Sequence, residues 1–192
     1  MHHQTDTLHP SEFFSIFPTC VGMFDLTQFH PAEEQKVYNL INLDSVEENV
    51  LETLPLLKKA INDCIKAYTN EYSVEYHELA DSKYETIESG KGIEPKAYDN
   101  SLFIGHYFPS AQKESIDMIV EAPFNNPIAT PVDKSLSLYT APSEKFIIDR
   151  GRLIITPAHL VRYITPNKLE HAVNMITFTT KVVEQDKITY ND

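Results

Sequence analysis

FIIDRGRLIITPAHLVRYITPNKLEHAVNMITFTTK, residues 146–181, is the stretch whose reading decides the fold. Two short apolar, β-branched runs, Phe146 to Ile148 and Leu153 to Ile155, are split by Asp149-Arg150-Gly151, the composition of two strands around a turn. Val173 to Val183 then alternates over a length that suits a strand. Val173, Met175, Thr177 and Thr179 share one face of it, and Asn174, Ile176 and Phe178 the other. The stretch therefore reads as the closing half of a small β-barrel.

Further strands are expected upstream. Val74 to Leu79 and Tyr84 to Glu88 alternate and read as two strands with one wet face, and Gly90-Lys91-Gly92 as a turn. Ser101 to Phe108 reads as a buried strand in which Gly105 allows a bend or bulge, and Ile116 to Val120 as a short strand. Pro127, Pro131 and Pro142 make Asn125 to Ser143 a long loop. Before the strands come helices. Pro31 followed by Glu33 and Glu34 opens one that runs to about Leu43, and Thr53-Leu54-Pro55 opens a longer one. In the second, Leu57, Ile61, Cys64, Ile65, Tyr68 and Tyr72 recur at steps of three and four, with Lys58, Lys59, Asn62, Asp63 and Lys66 opposite as a solvated face. Phe13 to Leu26 suits a first strand on a sheet edge. Helices at about 31–72 followed by strands from about 73 to 183 give an α+β chain, its helix layer packed on the outside of an antiparallel barrel or jelly roll. Residues 1–12 are expected to be a flexible lead-in, with His2, His3 and His9 as a polar tail rather than a metal site, and 13–192 a single domain.

The chain's 192 residues suit one domain. With 28 acidic against 16 basic residues the formal charge is −12, which repels nucleic acid and anionic membrane surfaces. Cys20 and Cys64 have no metal or redox spacing and read as reduced, buried small hydrophobes in a cytoplasmic setting. No basic-then-apolar leader and no run of eighteen apolar residues is present. Nor does the chain carry a Gly-x-Ser-x-Gly elbow, a phosphate-binding glycine loop or a paired-carboxylate pattern. Ser101 and Ser110 have no nucleophile signature around them.

In order along the chain stand Gly90-x-Gly92, Pro95-Lys96-Ala97-Tyr98-Asp99-Asn100-Ser101, Gly105-x-Tyr107, Gly151-Arg152-Leu153, Thr156-Pro157 and Pro166-Asn167. With Phe17-Pro18-Thr19 before them, this series resembles the small Fe(II)/2-oxoglutarate oxygenase-like proteins common in bacteriophages and bacteria. The resemblance covers most of the chain after residue 13. It implies a double-stranded β-helix, or jelly roll.

An active member needs a facial triad, a His-x-Asp or His-x-His pair and a distal histidine, with open iron positions for 2-oxoglutarate and oxygen. The resemblance puts Lys96 and Tyr98 in the places of the pair, Arg162 in the distal place, and Val173 near the arginine that would hold the cosubstrate. Lysine and arginine offer only donors, so the iron and 2-oxoglutarate of the family are not expected as cofactors. Two cations brought together there would need an acidic residue or a bound anion as balance. A displaced ligand set from His77, His106, His159 and His171 with Glu75, Glu78 or Asp99 is the alternative. The simpler expectation is that His106 and His159 are partly buried and hydrogen-bonded. If Val173 and Met175 face the barrel interior, side chains fill the space a cosubstrate would use.

The expected function is therefore a non-catalytic, oxygenase-like jelly roll acting as a structural or interaction protein through a protein partner or self-assembly. The family's distribution implies a bacteriophage virion component, in the host cytoplasm or the particle. The competing readings are an Fe(II)/2-oxoglutarate oxygenase with displaced ligands, a metal-free enzyme acting on a small anion through Lys96, Tyr98 and Arg162, and a small-anion-binding module.

Overall fold

A computed structural model of the chain describes residues 20–27, 49–72, 74, 77–122 and 143–183. The expected lead-in, the helix from Pro31 to Leu43, residues 13–19 of the first strand and nearly all of the loop from Asn125 lie outside the described residues. In chain order the elements are β1 (Gly22–Asp25), a 3-10 turn (Val50–Thr53), α1 (Pro55–Tyr72), β2 (His77–Ile87), β3 (Ile93–Lys96) and β4 (Phe103–Phe108). There follow β5 (Asp117–Glu121), β6 (Ser143–Ile147), β7 (Arg152–Pro157), β8 (Arg162–Ile164) and β9 (Val173–Val182).

Among the described residues two antiparallel sheets form, one of five strands in the order β1-β7-β4-β9-β2 and one of four in the order β3-β8-β5-β6. From β2 onward the chain passes back and forth between them, β5 and β6 alone being consecutive in one sheet. That winding is a double-stranded β-helix with α1 as its outer layer, so the α+β jelly-roll reading holds. Gly90 and Gly151, at φ 71° and 74°, supply the left-handed residues that the turns before β3 and β7 require.

The five-stranded sheet is covered on both faces. Its outer face packs Leu79, Tyr84, Phe103, Tyr107, Ile176 and Phe178 against Leu57, Ile61, Ile65 and Tyr68 of α1. Its inner face sends Ile87, Phe108, Ile154, Val173 and Met175 into a second core with Met118, Val120 and Ile164 of the other sheet. The alternation read in β9 is realised: Val173 and Met175 point inward, Ile176 and Phe178 toward the helix. Lys59, Asp63 and Lys66 are exposed as expected, but Asn62 is half-buried and its Oδ1 accepts the Leu79 N–H at 2.9 Å, tying α1 to β2.

Several details differ from the sequence expectation. The two expected strands are joined among the described residues: β2 is one strand from His77 to Ile87 whose register shifts between Leu79 and Ser82, residues 75 and 76 lying outside the described ones. Its expected wet face is the rim of the barrel, where Lys83 and Glu85 stand. Gly105 makes no bulge, since β4 runs in register with β7 and β9 on either side. Its lack of a side chain serves Phe178, whose ring fills the place a Cβ would take. Strands β3 and β8 escaped the sequence reading because Ile93–Lys96 contains proline and is mostly exposed, and Arg162–Ile164 is three residues long. Cys20 is exposed rather than buried; Cys64 is half-buried, and burial, with Asp63 second, pushes its thiol up to about 11.

Candidate functional site

Lys96 ends β3 and pairs across the strands with Arg162, the first residue of β8. This register brings together two cations far apart in sequence. Tyr98, two residues after Lys96, has its backbone N–H on the Ala158 carbonyl at 2.9 Å. Lys96 Nζ lies 4.4 Å and Arg162 Cζ 4.7 Å from the ring centroid, both within cation–π range.

Arg162 is 3% exposed, and a buried guanidinium must place its donors. Nη1 donates to the Leu160 carbonyl at 2.9 Å, with longer contacts to Thr156 Oγ1, Pro157 O and Ala158 O. Nε donates to His106 Nε2 at 3.1 Å. Nη2 is buried without an acceptor. Burial also brings the guanidinium's pKa down to about 10, an effect the nearby Tyr98 opposes, which leaves it charged at neutral pH.

Arginine only donates, so His106 Nε2 accepts and the neutral imidazole carries its proton on Nδ1. That proton points to Thr177 Oγ1 at 3.2 Å, and the Thr177 hydroxyl donates to Glu85 Oε2 at 2.7 Å. A directed chain thus runs from the Arg162 cation through His106 and Thr177 to a carboxylate. Glu85 is the negative balance the two cations required, and Lys83 Nζ also approaches it at 3.5 Å. Tyr98 is pushed up by burial first and by Glu85 second.

Burial first, then Arg162 and Lys96, hold His106 well below the usual histidine range. The unfolded chain takes up a proton at this position below about pH 6.5, whereas the folded chain does not. Unfolding therefore binds a proton, and stability falls as the pH drops below about 6.5, by up to about 1.4 kcal/mol per pH unit. Urea denaturation at pH 7 and pH 5.5 should show the loss, and His106→Gln, which can both accept from Arg162 and donate to Thr177, should flatten the difference.

Of the residues read from sequence, Lys96, Tyr98 and Arg162 come together. Val173 is fully buried in the inner core, and Met175 is the β9 side chain that lines the small cavity beside Arg162. His106 is buried and hydrogen-bonded as expected; His159 is exposed. Ser101 and Ser110 are structural: Ser101 Oγ bonds Phe103 O and Thr180 O, and Ser110 Oγ accepts from Asn174. Sequence reading missed Glu85 and Thr177 as site residues. The signal was the alternation of β2 and β9, which puts both on the inner face, Lys83 opposite Thr177 and Glu85 opposite Met175.

The residues present do not fit iron. A lysine, a phenol and a buried arginine stand where the resemblance places the triad, and both ring nitrogens of His106 are engaged. Among the described residues no group of three or more His, Cys, Asp or Glu could hold a metal ion. Likewise, none of their helices is long and apolar enough to cross a membrane.

The fold is similar to that of several solved structures. The non-heme α-ketoglutarate-dependent epimerase SnoN from nogalamycin biosynthesis matches with a TM-score of 0.61 at 8% identity, over 84% of this chain and 78% of that one. An oxidoreductase of the 2OG-Fe(II) oxygenase family from Burkholderia pseudomallei matches with a TM-score of 0.57 at 7% identity, over 84% of each chain. The α-ketoglutarate-dependent carbocyclase SnoK from nogalamycin biosynthesis gives 0.56 at 8%, over 83% of this chain and 78% of that one. At such identities the likeness is one of fold, and that fold is the oxygenase-like jelly roll. No family model and no curated protein matches the chain.

Proposed function

We propose that this oxygenase-like jelly roll is a non-catalytic structural or interaction protein, kept for its surface, with a bacteriophage particle or the host cytoplasm as its setting. One observation carries the reading: Lys96, Tyr98 and Arg162, which the sequence resemblance sets in the ligand places of the family, come together and are connected through His106 and Thr177 to Glu85. Both ring nitrogens of His106 are engaged, by Arg162 and by Thr177, and the positive charges of Lys96 and Arg162 oppose a divalent cation. Val173 and Met175 belong to the inner core and leave only a cavity of about 50 Å³ beside Arg162, which supports the same conclusion. The virion setting rests on the sequence resemblance alone. A partner protein or a second copy is the expected associate, rather than nucleic acid or membrane.

Light scattering of the purified protein, and sizing of the native complex from its source, test this role. Expected is a species larger than the monomer in at least one of the two. A strict monomer in both overturns the interaction role. The unpartnered Nη2 of buried Arg162 favours a second reading, a module that binds a small anion.

A further inference from the structure

Arg162 offers five N–H donors, and the three on Nε and Nη1 face protein acceptors while Nη2 has none. Leaving a buried donor unpaired is costly, and a fold that retains one has a reason to. Arg162, with Nη2 itself closed to water, also lines a cavity of about 50 Å³, together with Lys96, Tyr98, His106 and Met175 among others. This is room for roughly four water-sized groups. Outside it is a cleft of about 350 Å³ lined mostly by polar side chains, among them Asp81, Lys83 and Thr179. Glu85, Lys96 and Tyr98 line both. Tyr98 is half-buried, and its ring lies over the guanidinium, so its displacement joins the inner cavity to the outer cleft.

We infer that the inner cavity takes the carboxylate of a small polar organic acid, held by Arg162 Nη2 and Lys96 Nζ, with the rest of the acid in the outer cleft and Tyr98 as the side chain that moves aside. Lys96 and Arg162 bring two positive charges against the one negative charge of Glu85, which Lys83 also approaches at 3.5 Å, so the pair of cations retains charge for a second anion. The four heavy atoms of acetate match the inner space, whereas a tetrahedral phosphate is larger. The polar cleft suits an acid with hydroxyl or amide groups rather than a fatty chain. The inference rests on the anion-binding reading and is independent of the interaction role.

The test is an acetate titration of the ¹⁵N-labelled full chain, following the Arg162 side-chain resonances and the amides of Lys96, Tyr98 and Arg162. Saturable shifts are expected. Lys96→Met, at an exposed position that the fold does not need, should weaken binding roughly fivefold, and Tyr98→Ala, which uncovers the guanidinium, should strengthen it roughly fivefold. No saturable shift with acetate in wild type and in Tyr98→Ala overturns the inference. So does equal saturation by chloride or inorganic phosphate, which would mark an unselective cationic patch. Neither outcome affects the sizing experiment, so the two readings fail separately.

Discussion

Gly105→Ala is expected to destabilise the protein by about 3 kcal/mol, the upper end for adding one methylene to a packed core. A Cβ on Gly105 would stand 2.0 Å from Phe178 Cζ and 2.5 Å from each Cε. Such contacts are far inside the carbon–carbon optimum near 3.5–4.0 Å. Phe178 cannot yield, because it is 1% exposed and packed in the core shared with α1. Gly105 cannot yield either, being held in the centre of the sheet by β7 on one side and β9 on the other. Gly90→Ala is the control. It carries the strain of φ 71° but meets nothing within 4 Å, and should cost about 1–2 kcal/mol from backbone conformation alone. In urea denaturation Phe178→Leu should partly rescue Gly105→Ala, giving a coupling energy of about 1 kcal/mol or more. Equal losses for the two glycines, with no rescue, would mean that Phe178 does not stand over Gly105.

Leu57→Asp is the second large effect. Leu57 is 5% exposed in the core between α1 and the five-stranded sheet. An aspartate there loses the transfer energy of the leucine and either buries a charge or is protonated to avoid it, for about 3 kcal/mol in all. Lys59→Asp, two residues along on the exposed face, should stay within about 0.5 kcal/mol. Thermal denaturation followed by far-ultraviolet circular dichroism compares the two. Equal shifts in Tm would put α1 somewhere other than on the sheet.

The parts of this fold legible in sequence are those where burial imposes a period. The stripe of α1 and the two-sided alternation of β9 each place a row of apolar side chains on a core, and both appear as read. Strand β4, buried at all six positions, reads as a continuous apolar run for the same reason. Where a strand lies at an edge or is very short, burial writes no period. The Pro95 of β3 and the three residues of β8 therefore said nothing, although the two strands carry the cationic pair. The site itself was half legible. Lys96, Tyr98 and Arg162 were found through their order along the chain, because a jelly roll brings the second and seventh of its eight strands side by side. Glu85 and Thr177 looked like ordinary rim residues, because a charge-balancing hydrogen-bond chain is made by register between strands about ninety residues apart, Glu85 and Thr177 being 92 apart. At Gly105 the expected bend or bulge gives way to the ring of Phe178. Sequence shows that a side chain is missing, and only the partner strand shows whose ring fills the space.

The most direct test of the central claim, that the fold's metal site has been replaced by an arginine–tyrosine–lysine stack, is calorimetric titration of the anaerobic purified protein with Fe²⁺, and with Mn²⁺ as a redox-inert substitute, with and without 2-oxoglutarate. The account predicts no saturable heat from either ion above buffer level, no consumption of 2-oxoglutarate, and the same silence in His106→Gln. One-to-one binding of either metal that is lost on replacing His106 or His159 would contradict it and return the chain to the enzymes of its fold.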